Sequence, residues 1–300
     1  MIENLTTEGR NLLTQDLDQL STWSVLKLMQ EEDAKVSLAV REKLGEIERV
    51  TQTVIKSFQA GGRLIYIGAG TSGRMGILDA VECVPTFGTD PEMVQGIIAG
   101  GETAIYRAVE GAEDSPELGR ADLEKVGLTK EDTVLGIAAS GRTPYVIGAL
   151  KYANQVGAST ASLSCNANAE ISRYAKYPIE IVTGAEILTG STRLKAGTAQ
   201  KMVLNMISTA AMVGMGKVFS NYMVDVQPTN EKLMRRAKTM ISQITGCNEE
   251  TAAEYYERSR HQVKLAILML LTGLDYEEAK GKLTESQGFI RRAIEHKKEL

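Results

Sequence analysis

Histidine and cysteine are scarce in this chain, and each scarcity narrows what it can be. The 300 residues include two histidines, His261 and His296, both in the C-terminal part. That argues against a Ser/His catalytic triad and against a histidine-rich metal centre. The three cysteines, Cys83, Cys165 and Cys247, lie far apart with no C-x-x-C pair. This suits a reducing compartment and argues against a structural zinc site. There is no excess of basic residues: 34 Lys and Arg against 38 Asp and Glu give a formal net charge of −4. Nucleic acid is therefore not an expected partner. Long apolar runs are missing too. The most apolar stretch, Leu265 to Leu271, is far too short to span a bilayer. The first residues, MIENLTTEGR, are polar and acidic, unlike a secretion signal. A cytoplasmic protein without a membrane partner is the expectation.

What is present concentrates between Arg63 and Gly88, RLIYIGAGTSGRMGILDAVECVPTFG. The run Leu64-Ile65-Tyr66-Ile67 reads as a buried parallel strand. It breaks into Gly68-Ala69-Gly70-Thr71-Ser72-Gly73, and helical spacing resumes at Met75, Leu78, Ala80 and Val81. First-turn N–H groups lack intrahelical partners and the helix dipole favours negative charge there, so strand, turn and helix make an anion site. The literal pattern is G-x-G-x-x-G, and alone it favours a dinucleotide site over a sugar-phosphate site. A dinucleotide site also needs an acidic residue at a strand end roughly 20 residues on. There the chain reads PTFGTDPEMV, with Asp90 and Glu92 in a turn beside Pro91. Arg74-Met75 replaces the Lys-Ser/Thr of a P-loop.

Two later strand–loop units change that balance. Thr133–Ile137 runs into Ala138-Ala139-Ser140-Gly141-Arg142-Thr143-Pro144 and a helix, with Pro144 suited to its first turn. Ile179–Val182 leads into Glu186-Ile187-Leu188-Thr189-Gly190-Ser191-Thr192-Arg193 and a long helix over 194–219. Three hydroxyl-bearing loops at strand ends suit one phosphomonoester better than a pyrophosphate and an adenine. Thr71, Ser72, Gly73, Ser140, Arg142 and Thr143 are the candidate phosphate ligands. Arg74, Ser191, Thr192 and Lys195 are further substrate-binding candidates.

The organisation follows from periodicity. Residues 1–62 are read as N-terminal helices packing on the core, with Leu44, Ile47, Val54 and Phe58 at helical spacing and Gly61-Gly62 as the stop. Residues 63–235 alternate strand and helix, the mark of an α/β doubly wound parallel sheet. Residues 236–300 read as a small helical bundle similar to a UBA-like module, with Asn248, Asp275 and Ser286 as caps. The apolar run Ala266–Leu271 exceeds what one small bundle face needs, which points to a homodimer.

These residues carry a resemblance. The chain resembles the sugar isomerase (SIS) domain proteins, and within them the N-acetylmuramic acid 6-phosphate etherase family, nearly end to end. The matching segments are Thr7-Glu8-Gly9-Arg10-Asn11, IYIGAGTSGRMGILDAVECVPTFG, AVEGAED at 108–114, IAASGRTPYV at 137–146 and EILTGSTRLKAGTAQKMVLNM at 186–206. Gly9 stands where the family more usually has a charged or amide residue. By composition alone Glu82 and Glu113 read as solvated surface acids; the resemblance implies acid/base catalysis for both. It implies a lyase that cleaves the D-lactyl ether of a sugar phosphate, a role in N-acetylmuramate catabolism and peptidoglycan recycling, and no cofactor or metal. Glu82, followed by Pro85 and Phe87, is expected to be partly desolvated and to protonate the leaving oxygen; Glu113 is expected to take the C2 proton or to open the ring. An aldose–ketose phosphosugar isomerase and a non-catalytic sugar-phosphate sensor are the alternatives.

Overall fold

The structure, a computed structural model, describes residues 5–226 and 231–295. Its residues divide into two units by their internal contacts: Met1–Val81 with Pro91–Thr209, and Glu82–Asp90 with Ala210–Leu300.

The first unit is built on a parallel sheet. Strands β1 (Leu64–Gly68), β2 (Val94–Ile98), β3 (Thr133–Ile137), β4 (Ser159–Ser164) and β5 (Tyr177–Glu180) lie in the order β2-β1-β3-β4-β5. Every residue of β1 and β3 is buried, as expected of strands covered on both faces. The chain leaves β1 for β2 on one side and builds β3, β4 and β5 on the other. The order therefore reverses between β1 and β3, and the crevice at their carboxyl ends is where such sheets bind ligands.

Around the sheet pack α1 (Thr22–Arg41), α2 (Leu44–Gln59), the start of α3 (Gly70–Phe87), α4 (Thr103–Tyr106), α5 (Pro116–Lys125), α6 (Pro144–Val156) and most of α7 (Lys195–Gly214). Ser21 caps α1 by accepting from the Ser24 amide. The α2 spacing is as read for Ile47, Val54 and Phe58, which are buried, whereas Leu44 at the start of the helix is exposed; Gly61 ends the helix at φ +79°. Pro144 occupies the first turn of α6.

The second unit holds the hairpin β6 (Val218–Phe219) and β7 (Tyr222–Met223), then α8 (Glu231–Thr245), α9 (Glu249–Arg258), α10 (Val263–Thr272), α11 (Tyr276–Glu285) and α12 (Ile290–Glu295). Asn248 and Asp275 are N-caps, Asp275 within a full capping box, whereas Ser286 sits at the C-terminal end of α11. The helix expected over 194–219 stops at Gly214, because Gly216 takes φ +71° and the hairpin follows. Val224 and Val226 join the helical core, so the bundle's apolar cluster begins well before residue 236. The apolar run of α10 is not surplus surface: Leu265 to Met269 are buried in that same cluster. His296 lies outside the described residues.

An ion pair between half-buried Arg63 and buried Asp132 ties the sheet's amino end. Asp132 accepts from the Arg63 amide at 2.8 Å, from its Nη2 at 2.7 Å and from the Thr129 amide at 2.8 Å. Burial alone would push the Asp132 carboxyl up, but these bonds outweigh it and hold the group below its ordinary range. A depressed folded-state pKa stabilises above the unfolded value of about 3.9 and is lost as pH falls through the folded value. Asp132→Asn should therefore lower the melting temperature at pH 7 by roughly 5 °C. The gap to wild type should narrow as both are taken toward pH 3 in circular-dichroism melts. A gap independent of pH would contradict the assignment.

Candidate functional site

The loop after β1 is shaped by glycine. Gly70 takes φ +53°, a region that side chains disfavour, and turns the chain into α3. A Cβ on Gly73 would lie 2.6 Å from Ile98 Cγ1 and 2.7 Å from the Gly68 carbonyl oxygen. Only glycine lets the first turn of α3 sit this close to the strands. The Thr71 and Ser72 amides belong to that first turn, where amides have no intrahelical acceptor. The Ser72 hydroxyl is buried and donates to Gln200 Oε1 at 3.1 Å.

The loop after β3 lies beside it, because β1 and β3 are paired neighbours. The Arg142 amide donates to Ser140 Oγ at 3.3 Å, and Arg142 and Thr143 are half-buried before α6. Thr71, Ser72, Gly73, Ser140, Arg142 and Thr143 thus sit on two adjacent loops at the switch point.

The third loop arrives differently. β5 is the sheet edge, two strands from β3, so its loop is no neighbour of the others. The segment after it crosses to α7, whose Gly197 would bring a Cβ within 3.5 Å of Thr71 Cγ2. That crossing brings Ser191 and Thr192, just before α7, toward the loop after β1. The α7 N-terminus is not an open anion site. Fully buried Glu186 accepts from the Lys195 and Ala196 amides at 2.9 and 3.0 Å, so an internal carboxylate already fills it. The Lys195 ammonium is held by Glu32 Oε2 at 2.6 Å, both side chains buried. Burial pushes Glu32 up, yet the hydrogen bonds from Lys195 and Lys35 outweigh it and hold the carboxyl below its ordinary range. Cys165, close to Glu186, is pushed up to about 12 by burial and that charge, so it stays a thiol. Arg74 donates from Nη2 to the Ala104 carbonyl at 2.8 Å and from Nε to Ile105 at 3.0 Å, which anchors its guanidinium on α4.

The two candidate acids are exposed. Glu82 lies on α3 with its side chain in solvent, not shielded behind Pro85 and Phe87; Pro85 is itself exposed. Glu113 is exposed on a short 3-10 turn, Ala112–Asp114. Among the described residues no cluster of three or more His, Cys, Asp or Glu is placed to hold a metal ion. No helix among them is long and apolar enough to cross a membrane.

Sequence reasoning missed several supports. Buried Asn166 accepts from Thr6 Oγ1 at 2.8 Å and from the Thr7 amide, and donates to Thr7 Oγ1 and the Ala139 carbonyl. It pins the Thr7-Glu8 segment beside the Ser140 loop. Buried Asp79 accepts from Tyr66 Oη at 2.8 Å, Asn205 Nδ2 at 2.6 Å and Ser208 Oγ at 3.1 Å, locking α3 to β1 and α7. The only sequence signal for Asp79 is a charge among the apolar residues of α3.

Comparison with known proteins places this geometry. Residues 46–154 match the glucokinase regulatory protein N-terminal SIS domain, and residues 123–210 match the SIS domain. Residues 220–265 match the C-terminal lid domain of glucokinase regulatory protein. A phosphoheptose isomerase from Francisella tularensis is similar in fold alone, at TM-score 0.51 and 13% identity, over 65% of this chain and 100% of that one. Two Bacillus cereus proteins named N-acetylmuramic acid 6-phosphate etherase are 65% and 63% identical over 98% of this chain and their whole length. The chain belongs to the N-acetylmuramic acid 6-phosphate etherase family, on a SIS-type α/β fold.

Proposed function

We propose that the protein is a carbon–oxygen lyase acting on N-acetylmuramic acid 6-phosphate, releasing D-lactate and N-acetylglucosamine 6-phosphate. The observation that carries this reading is the 65% identity over 98% of the chain to relatives of that name. The two adjacent polar loops at the switch point support it, since they suit the substrate's phosphate.

The chemistry needs two proton-transferring groups. The C2 hydrogen becomes acidic only beside a C1 carbonyl, so the sugar must react as its ring-opened aldehyde. In this scheme Glu113 takes that proton. The ether oxygen is a poor leaving group and must gain a proton as its bond to C3 breaks. Glu82 gives that proton, and D-lactate departs to leave an unsaturated aldehyde. Glu82 then takes a proton from water as the oxygen adds at C3, and C2 is reprotonated. Lactate and hydroxyl exchange places with no net redox change. The phosphate is gripped far from the reacting carbons, so its binding energy serves orientation.

A homodimer in the cytoplasm belongs to this reading, with loops of one protomer closing its partner's site. Support comes from the N-terminal segment and α1, where Leu12, Leu13, Trp23 and Leu26 are 78%, 67%, 75% and 56% exposed. A monomer by light scattering at micromolar concentration would contradict it. The reaction places the enzyme in N-acetylmuramate catabolism and peptidoglycan recycling.

Ser72→Ala and Ser140→Ala test the cradle. Each removes a hydroxyl from the loops that bind a charged acceptor, an interaction of about 1.5–3 kcal/mol. KM should rise about tenfold or more in each while kcat changes little. An unchanged KM with a collapsed kcat would refute the cradle.

A further inference from the structure

Gln200 is 1% exposed on α7, and its Oε1 accepts the Ser72 hydroxyl at 3.1 Å. Its Nε2 is buried and has no acceptor among the described residues. Proteins seldom leave a buried amide donor unpaired, because its lost hydration is not replaced. The seam holding this amide is fixed on both sides. Gly197 abuts Thr71 at one end, and Asp79 joins α3 to Asn205 and Ser208 at the other. These contacts hold the helices on both sides, so rotation of the amide and the hydroxyl is the relief the two side chains themselves can supply.

A serine hydroxyl has one proton and can still accept. With that proton on Gln200 Oε1, Ser72 offers an anion at the α3 N-terminus lone pairs and no donor. If the amide turns over, Nε2 donates to Ser72 Oγ and the serine proton is released toward the anion. We propose that Gln200 is a positioning residue that switches the Ser72 hydroxyl from donating inward to donating to a bound phosphate, its unpaired Nε2 gaining a partner in the bound state. No bond breaks; one hydroxyl proton changes direction. This rests on the phosphate cradle proposed above.

The test is calorimetric titration with inorganic phosphate, independent of turnover. Ser72→Ala should weaken binding about tenfold, one charged hydrogen bond. In Gln200→Glu the carboxylate only accepts, so it holds the Ser72 proton inward; at pH 7.5 the loss should be about tenfold or more. The double variant should be no more than about twofold weaker than the worse single, because both changes act through one hydroxyl. As pH falls toward 5.5 the ratio of Gln200→Glu to wild-type affinity should recover, since a protonated carboxyl regains a donor and burial raises its pKa. Additive losses would overturn the switch and leave simple charge repulsion, and no recovery with pH would overturn it as well. Wild-type binding by Ser72→Ala would instead overturn the cradle. In the wild-type protein, the Gln200 side-chain ¹⁵N–¹H signals should move when phosphate is added; unmoved signals would also overturn the switch.

Discussion

Glu82→Gln should abolish net lactate release while leaving substrate binding nearly intact. Glutamine is nearly isosteric and the side chain is exposed, so folding should hardly change. It can donate a hydrogen bond but cannot transfer a proton to a departing alkoxide. Positioned proton transfer contributes roughly 10²–10⁴-fold, and that is the expected loss in kcat. Removal of the C2 proton is a separate duty in this scheme. The Glu82→Gln enzyme should still exchange the C2 hydrogen in D₂O, whereas Glu113→Gln should lose both exchange and lactate release. Following the C2 proton by NMR alongside lactate separates the two. Near wild-type lactate production by Glu82→Gln would end the assignment, and exchange lost in Glu82→Gln but kept in Glu113→Gln would reverse the roles.

Lys195→Met should produce the largest loss of stability among the substitutions considered. It leaves Glu32 buried with one of its two cations removed. Truncating one partner of a buried pair costs about 3–5 kcal/mol. The remaining Lys35 is more than half exposed and offsets part of this. A fall of about 3 kcal/mol, on the order of 10 °C in melting temperature, is expected. Adding Glu32→Gln should restore part of it, because no unpaired charge remains. Denaturant unfolding of the two single variants and the double variant checks this. A Lys195→Met protein as stable as wild type would show that the pair does not hold α1 to the start of α7.

How much of this was legible depends on where each signal sits. β1 and α3 were readable because an apolar run, a glycine turn and a helical pattern are contiguous. β4 was not: Ser159-Thr160-Ala161-Ser162-Leu163-Ser164 lacks the apolar run of a buried strand. Two of its hydroxyls bond locally instead, Thr160 to Asn154 and Ser164 to the Asn166 carbonyl. α10 read as surplus apolar surface because it is apolar on nearly every face, and four helices, α8, α9, α11 and α12, share in covering it. In the site, hydroxyl loops announce themselves by composition, whereas their supports depend on distant partners. Gln200 meets Ser72 across 128 residues, and Asn166 meets Thr7 across 159. The third loop was placed by its serine and threonine, yet Glu186 behind it fills the α7 N-terminus. In the proposed reading this leaves the α3 N-terminus for the substrate's phosphate.

The most direct test is to incubate the purified protein with N-acetylmuramic acid 6-phosphate and measure D-lactate by a coupled dehydrogenase assay. N-acetylglucosamine 6-phosphate is followed in the same samples. The account predicts equimolar release of both products. Conversion of the substrate to an isomeric sugar phosphate without lactate, or tight binding without turnover, would contradict it.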